Sequence, residues 1–350
     1  VTISGSLLAD NLNLASTNAN ANLILAADLS ADNMSLTSEK QVQLNGNITI
    51  TNGGALTLKA GSATQDLTKT LTTPTLILET KTGTGDFTIN STTNAIDAVR
   101  TQDSDANSVQ VAGNITVVST AATTTLGPIT TSSGGSLTIT HGANNLVIGG
   151  AVNLAGGFTQ NGAGQVTLAN ALTVGAGNSF AFAGTLIVDA SAQLTVSGAG
   201  TITVNDVIQN NGNDSLTLQS GAGLITINGD IGVSGTPLQQ LTLITNNSVS
   251  QAAGKTIHAG TLQLQGNGTF NLTSNVDNAN TSGTVGGAIT LTNGKALILN
   301  GTGLAATGNI GLTTTSGALT LSQALTSGGD VTLNLAAGAG GAGLLTGNNL

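Results

Sequence analysis

The sequence has no cysteine, no tryptophan and no tyrosine, and only 7% of its residues are charged. Without cysteine the chain can form no disulfide and offers no thiolate for metal or redox chemistry. Aromatic residues total 1%, which leaves few platforms on which sugar rings or bases could stack. Lysine and arginine together number 7 in a chain of net charge −9, too few to neutralise a phosphate backbone. We therefore do not expect nucleic acid as a partner.

Long apolar runs are also missing, because glycine, asparagine or threonine interrupts every one, and we expect no membrane span. The chain begins at Val1 without an initiator methionine or a signal peptide, which suggests a mature product or an excised segment. What the sequence does contain is 39% hydrophobic residues and 49 glycines. Leucine, isoleucine, valine and alanine alternate with threonine, asparagine, serine and glycine in short runs, and this period of two predicts strands.

An internal repeat organises these strands. Residues 9–16 (ADNLNLAS) recur 22 positions later as residues 31–38 (ADNMSLTS). Steps of this length, the last slightly shorter, connect four pairs of apolar residues: Leu12/Leu14, Met34/Leu36, Leu56/Leu58 and Leu76/Leu78. Further along, apolar-Thr-apolar triplets recur with a usual gap of roughly 22 to 30 residues. A chain that returns to the same face once per turn explains these echoes, and an array of antiparallel hairpins does not.

We therefore predict an all-β fold, a right-handed parallel β-helix (β-solenoid) of roughly 15 coils with about 20–30 residues each. No change of composition divides the chain, so residues 1–350 are predicted to form one continuous solenoid segment of a longer repeat protein. Glycine, threonine and asparagine disfavour helix throughout. We expect Pro74, Pro128 and Pro237 at turns or strand entries, because proline cannot donate to a strand ladder.

Residues 248–264 (SVSQAAGKTIHAGTLQL) and 268–272 (GTFNL) resemble the repeat region of filamentous-haemagglutinin-type exoproteins and large autotransporter adhesins of Gram-negative bacteria. The resemblance is one of sequence style and extends over the whole chain. It implies a right-handed β-helix shaft that is displayed outside the cell and mediates adhesion or aggregation. The Asn-Pro signatures of the secretion domain in these proteins are absent, which leaves the export route open. Gly-Gly-x-Gly-x-Asp nonapeptides are absent too, and this argues against a calcium-filled roll.

Three groups of carboxylates, amides and imidazoles are candidate sites. Asp103, Asp105 and Asn107 imitate the start of a calcium-binding loop, but Ser108 and Asn114 stand where that loop needs glycine and glutamate. We interpret this segment as a solvated loop.

Asp10 and Asp32 occupy equivalent places in adjacent coils, about 5 Å apart, as in a retaining glycosidase. The Asp-Asn pairs that contain them are also ordinary turn residues.

His141 and His258 have no carboxylate or nucleophile near them in sequence, and we interpret both as turn residues. Asn47, Asn90 and Asn114 begin glycosylation sequons, which in a bacterial exoprotein are plain turn and strand residues. Thr-x-Thr pairs such as Thr49/Thr51, Thr138/Thr140 and Thr201/Thr203 invite an ice-binding interpretation. Their spacing is irregular, and we expect that a flat threonine array needs a constant period.

From these residues we predict no catalytic, cofactor-binding or metal site and no enzymatic activity. A polysaccharide-acting solenoid enzyme, the rival hypothesis, needs a groove of acids and bases, and no Asp, Glu, Lys or Arg occurs from Ala106 to Val188. The predicted function is a structural and adhesive shaft of a secreted bacterial cell-surface protein; the alternative is a subunit of an extracellular filament or surface layer. Expected partners are a host or neighbouring-cell surface, or other copies end to end.

The two ends of the sequence support the second kind of partner. Residues 1–3 (VTI) have the pattern of a strand interior, and residues 344–350 (LLTGNNL) contain no charge, proline or helical cap. Because an open strand edge templates pairing with another copy, we expect further coils or end-to-end stacking.

Overall fold

The structure, a computed structural model, describes residues 1–81, 85–101, 110–341 and 345–347. The described residues are all-β, with parallel strands stacked as a β-solenoid of about 15 turns, which confirms the predicted fold class. No helix occurs in these ranges, and none therefore meets the length and apolarity that crossing a membrane requires. Two compact units divide the chain, the first made of Val1–Gly175 and Ala181–Gly184, the second of Ala176–Phe180 and Thr185–Leu350.

Short strands build the first unit, and most are three to five residues long. They are β1 (Thr2–Ile3), β2 (Leu7–Ser16), β3 (Leu23–Leu25), β4 (Leu29–Leu44), β5 (Ile48–Ile50), β6 (Ala55–Gln65), β7 (Leu71–Thr80), β8 (Phe87–Ile89), β9 (Ala95–Arg100), β10 (Ile115–Val118), β11 (Thr123–Leu126), β12 (Ile129–Thr130), β13 (Leu137–Thr140), β14 (Asn145–Ile148), β15 (Val152–Leu154), β16 (Phe158–Asn161), β17 (Val166–Leu168) and β18 (Leu172–Val174). The next strand, β19 (Phe180–Phe182), has residues in both units.

The second unit is built in the same way. Its strands are β20 (Leu186–Val188), β21 (Ala192–Val196), β22 (Ile202–Val204), β23 (Ile208–Asn210), β24 (Ser215–Ser220), β25 (Ile225–Ile227), β26 (Leu238–Ile244), β27 (Ser248–Gln251), β28 (Ile257–Gln265), β29 (Thr269–Thr281), β30 (Ile289–Asn293), β31 (Leu297–Leu299), β32 (Leu304–Ala306), β33 (Ile310–Thr314), β34 (Leu319–Leu321), β35 (Leu325–Ser327), β36 (Val331–Leu335), β37 (Ala339–Gly341) and β38 (Leu345–Thr346).

Parallel pairing between successive turns sets the register of the first unit. Leu14 of β2 lies opposite Leu36 of β4, and Leu36 lies opposite Leu58 of β6. Leu58 in turn lies opposite Leu78 of β7. The sequence echo at 22 residues therefore corresponds to one turn of the solenoid, and the predicted stack of leucines is confirmed.

Alternation along each strand separates an apolar interior from a polar surface. In β5, for example, Ile48 and Ile50 are buried and Thr49 between them is exposed. Large rings also enter the interior: the side chains of Phe87 and Phe158 are completely buried in the first unit. Because side chains at equivalent positions lie one turn apart, each buried residue contacts its counterparts in the turns before and after it.

Buried polar side chains close the corners where one strand ends and the chain turns. The Ser220 hydroxyl donates to the carbonyl oxygen of Gly223 at 2.7 Å, and the Thr314 hydroxyl donates to that of Gly317 at 2.9 Å. Residues that bond the carbonyl three or four positions on include Thr131, Ser220, Asn293, Thr314 and Ser327. A buried carbonyl without a partner would be costly, so these side chains let the backbone turn inside the solenoid.

The prolines take two kinds of position. Pro128 lies between β11 and β12, and Pro237 directly precedes β26, as predicted. Pro74 lies inside β7, between the residues that pair with β5 and those that pair with β6. The prediction of a turn or strand entry was therefore wrong for Pro74, which is tolerated because residue 74 has no partner in the register with β5, β6 or β9.

Replacing Leu36 by alanine tests this register. Leu36 is completely buried between Leu14 and Leu58, and we expect Leu36→Ala to lower the free energy of unfolding by about 2–5 kcal/mol. The matched control is Leu8→Ala, because Leu8 is 86% exposed and its truncation should change stability by less than about 0.5 kcal/mol. Chemical denaturation followed by circular dichroism measures both, and equal effects would show that the register is wrong.

Candidate functional site

A polar groove of about 370 Å³ lies on the outer face of the first unit. The register that stacks the leucines inside also stacks the residues beside them outside. Five of these residues form the central row of the groove, one from each of five successive turns: Asn13, Ser35, Thr57, Ile77 and Arg100. We call this set the central row.

A second row runs parallel to it, two residues earlier on the same strands, and consists of Asn11, Asn33, Ala55 and Thr75. The amide of Asn33 donates through Nδ2 to Oδ1 of Asn11 at 3.2 Å. Its own Oδ1 accepts from the backbone N–H of Ala55 at 3.2 Å. We call this second row the amide row. The two hydrogen bonds of Asn33 fix its asparagines in one orientation, which prepares them to bind hydroxyl groups without further ordering.

One edge of the groove is the turn between β5 and β6. Asn52 and Gly53 both have positive φ, 51° and 75° respectively. At Gly54 a Cβ atom would lie 1.7 Å from the carbonyl oxygen of Asp32, so only glycine allows the two turns to approach this closely. Together these three residues keep the edge low and the amide row accessible.

Arg100 at the end of β9 is the only arginine in the sequence. Its side chain is partly exposed, but its Nε atom is buried and has no hydrogen-bond acceptor among the described residues. Within the same part of the chain no carboxylate forms a salt bridge with it. A Cβ atom at Gly127 in the next turn would lie 3.1 Å from the Cβ of Arg100, so the arginine stem packs against bare backbone.

Neighbouring charges are paired with one another. Lys59 and Glu79 lie opposite each other on the strands of the groove, and their charged atoms are 2.7 Å apart. At 2.6 Å, Lys81 and Glu39 form a second ion pair. Glu79 and Glu39 are thus paired with lysines, whereas no carboxylate among the described residues pairs with Arg100.

Asp10 and Asp32 lie in matching positions of adjacent turns, as the sequence predicted, because their neighbours Ala9 and Ala31 pair in register. The Asp32 carboxylate accepts from the Thr51 hydroxyl and from Nδ2 of Asn52 at 2.7 Å. These hydrogen bonds lower the pKa of Asp32. A glycosidase needs one carboxyl whose pKa is raised so that it can act as an acid, and Asp32 is shifted in the opposite direction. Asp32 braces a turn.

His141 is buried and serves as a corner brace of the kind that Ser220 and Thr314 exemplify. Its Nδ1 donates to the carbonyl oxygen of Asn144, and its Nε2 accepts from Nε2 of Gln160 at 2.7 Å. Oε1 of Gln160 already accepts from the backbone N–H groups of Ala183 and Gly184. Burial lowers the pKa of His141, against a smaller opposing effect of its bond to Asn144, so the ring stays neutral. This confirms the interpretation of His141 as a turn residue.

His258 lies on β28 and is partly exposed, so the interpretation of His258 as a turn residue was wrong. Burial is the main cause that lowers its pKa; Lys295 lowers it further and Asp230 opposes the shift. The Asp230 carboxylate is bound to the backbone N–H of Thr256 at 2.8 Å. Lys295 forms an ion pair with Asp277 at 2.7 Å. Asp230 is therefore already bound to a backbone N–H, and Lys295 and Asp277 are bound to each other.

The asparagines of two sequons are part of the fold. Oδ1 of Asn47 accepts from the backbone N–H of Thr70 at 2.9 Å, and Oδ1 of Asn114 accepts from that of Ser136 at 3.0 Å. Each amide thus ties one turn to the next. Residues 102–109, and with them Asp103, Asp105, Asn107 and Ser108 of the calcium-like segment, lie outside the described residues. In the described ranges no group of three His, Cys, Asp or Glu residues could hold a metal ion.

Threonine rows are more regular in space than in sequence. The outward row of Thr64, Thr88, Thr116, Thr138 and Thr159 runs through successive turns, although the sequence gaps between these residues vary. The expectation that a threonine array requires a constant period was wrong, because turns of different length absorb the irregularity and the strand ladders keep register. The neighbouring outward column does not repeat threonine, because Thr140 pairs with Val118 in one turn and with Asn161 in the other.

The groove around Arg100 did not emerge from the sequence, because its rows join residues from five turns. The one available signal was that a single arginine occurs in a chain with so few charges. No protein-family model, curated protein or solved structure matches the chain.

The buried network of His141 predicts a pH dependence of stability. Because the pKa of His141 is lower in the folded chain than its ordinary value of 6.5, the unfolded chain binds the proton more readily. Stability is therefore complete above pH 6.5 and is lost as the pH falls toward the folded value, where an Nε2 proton would face the Gln160 amide. The measurement is the unfolding temperature between about pH 7.5 and 5.5, a range that carboxylates hardly affect.

His141→Asn supplies the matched variant, since Asn293 performs the same bracing elsewhere. We expect this variant to show a weaker pH dependence in that range. The residual slope belongs to His258, whose pKa is also lowered. An unchanged slope in His141→Asn would contradict this assignment.

Proposed function

We propose that this chain is a structural and adhesive shaft of a secreted protein on the surface of a Gram-negative bacterium. The observation that carries the proposal is the stacking of parallel strands, which presents rows of uncharged amides and hydroxyls on an outer surface that a rigid apolar interior supports. The resemblance of residues 248–264 to filamentous-haemagglutinin-type exoproteins and large autotransporter adhesins supplies the cellular setting. A shaft of this kind holds polar binding surfaces away from the cell.

Three described residues that the enzymatic alternative could use are already engaged by other groups. In the described part of the chain the Asp32 carboxylate braces a turn, His141 is enclosed in a buried network, and Glu79 is paired with Lys59. General acid–base catalysis requires groups whose pKa values are matched to proton transfer and which reach the substrate. The residues of the groove suit binding and offer no such group.

Attachment assays test the proposal. Beads coated with the purified chain should attach to epithelial cells, and bacteria that display the chain should clump, in both cases above albumin-coated or undecorated controls. A variant with Leu36→Asp and Leu58→Asp places charges in the interior and should abolish attachment together with the β-type circular dichroism spectrum. Attachment no stronger than the controls, or release of reducing ends from polysaccharides, would overturn the proposal.

A filament or surface-layer subunit would share the same solenoid and differ in how copies meet. Light scattering at increasing concentration, combined with the attachment assay, distinguishes the two functions, because a subunit lengthens into fibres without binding cells and an adhesive shaft binds cells. Fibre formation without cell attachment would favour the filament.

A further inference from the structure

We infer that the groove of the first unit binds an acidic saccharide, a chain of sugars that carries an isolated carboxylate, with the guanidinium of Arg100 binding that carboxylate. This inference rests on the proposed adhesive function and names the class of its ligand. It is carried by three features of the groove: an unpaired buried donor, two mostly polar rows, and the acidic residues around Arg100.

The first feature is the free fork of Arg100. A buried polar atom without a partner is rare in folded proteins and calls for a bound group, because leaving an N–H of a charged side chain unpaired is costly. Nε of Arg100 is such an atom, and among the described residues no carboxylate pairs with the side chain. A guanidinium presents two parallel N–H donors that match the two oxygens of a carboxylate.

The second feature is the length and chemistry of the two rows. Successive turns lie about 4.8 Å apart, roughly the length of one sugar ring, so neighbouring rings can meet equivalent groups. Amides of Asn11, Asn13 and Asn33 and the hydroxyl of Thr57 offer donors and acceptors to sugar hydroxyls. Ile77 belongs to the same row but is buried, so it offers a sugar ring little apolar surface. Recognition in this groove rests on hydrogen bonds, because it contains no aromatic side chain.

The third feature is charge. Lys59 and Glu79 cancel each other beside the groove, Asp10 and Asp32 lie next to the amide row, and Asp97 is on the same strand as Arg100. Acids in these positions repel a densely charged polymer such as a nucleic acid or a heavily sulfated glycan. A ligand with widely spaced carboxylates can place one at Arg100 and keep neutral hydroxyls near the aspartates. The groove therefore selects for an isolated carboxylate.

Calorimetric titration of the full chain tests this inference. The probe is a short oligogalacturonate with most carboxyls methyl-esterified and one left free, and the matched neutral ligand is the same oligomer fully esterified. The acidic form should bind about tenfold to a hundredfold more tightly, the usual effect of a hydrogen bond between charged groups. Galacturonate monomer should bind more weakly than the oligomer, because it leaves the amide rows unoccupied.

Two substitutions at Arg100 locate the site. Arg100→Gln removes the charge, and Arg100→Lys keeps the charge but removes the planar fork; both should reduce the affinity for the acidic oligomer toward that of the ester. Thr57→Val should weaken both oligomers alike, because it removes a hydroxyl and leaves the carboxylate site intact. Lys255→Gln, in the second unit, is the matched loss of one positive charge and should change nothing. Circular dichroism and unfolding temperature verify that each variant is folded.

Equal affinity for acid and ester, or full affinity in folded Arg100→Gln, would overturn the inference. So would tighter binding of single-stranded DNA or a sulfated glycan than of the acidic oligomer. If the monomer binds as well as the oligomer, the saccharide-chain part is wrong. The attachment assay tests the proposed function separately. Attachment without oligomer binding would refute only the acidic saccharide as ligand. Oligomer binding without attachment would refute the adhesive function and support the ligand site.

Discussion

Backbone hydrogen bonding between successive turns is the constraint on which the rest of this structure depends. Each short strand pairs in parallel with the equivalent strand one turn later, as Leu36 does with Leu14 and Leu58. Parallel register places like positions above one another, so a buried residue has buried neighbours and an outward residue has outward neighbours. The apolar ladder and the polar rows are two results of the same pairing.

Corners allow this pairing to survive turns of unequal length. At several corners of the solenoid a buried side chain bonds a carbonyl a few residues on, and the residue type varies: Ser220, Asn293 and His141 all do so. A corner position requires only a side-chain donor long enough to reach that carbonyl, so residues of different types can occupy it. His141 thus uses its ring N–H to brace the fold, although an oriented ring N–H is also what a catalytic histidine needs.

Function in such a fold arises from rows and not from a cleft between layers. Five turns contribute one residue each to the central row, so the ligand that we propose would lie along several turns. In the ligand that we propose, a carboxylate at Arg100 would therefore meet the one guanidinium of an otherwise uncharged row. Rigid amides and hydroxyls give such a surface specificity with little ordering on binding.

Sequence alone was sufficient for the all-β class, the parallel stacking and the ladder of Leu14, Leu36 and Leu58. Alternation of apolar and polar residues is a local signal, and the repeated segment is nearly identical in its two copies. The sequence could not place Arg100 in one row with Asn13, nor show that Thr64 and Thr159 share a row. Those relations depend on how many residues each corner absorbs, and corners are set by buried hydrogen bonds that leave no periodic trace. Only the tertiary structure, by fixing the register, decided which residues share the outer surface.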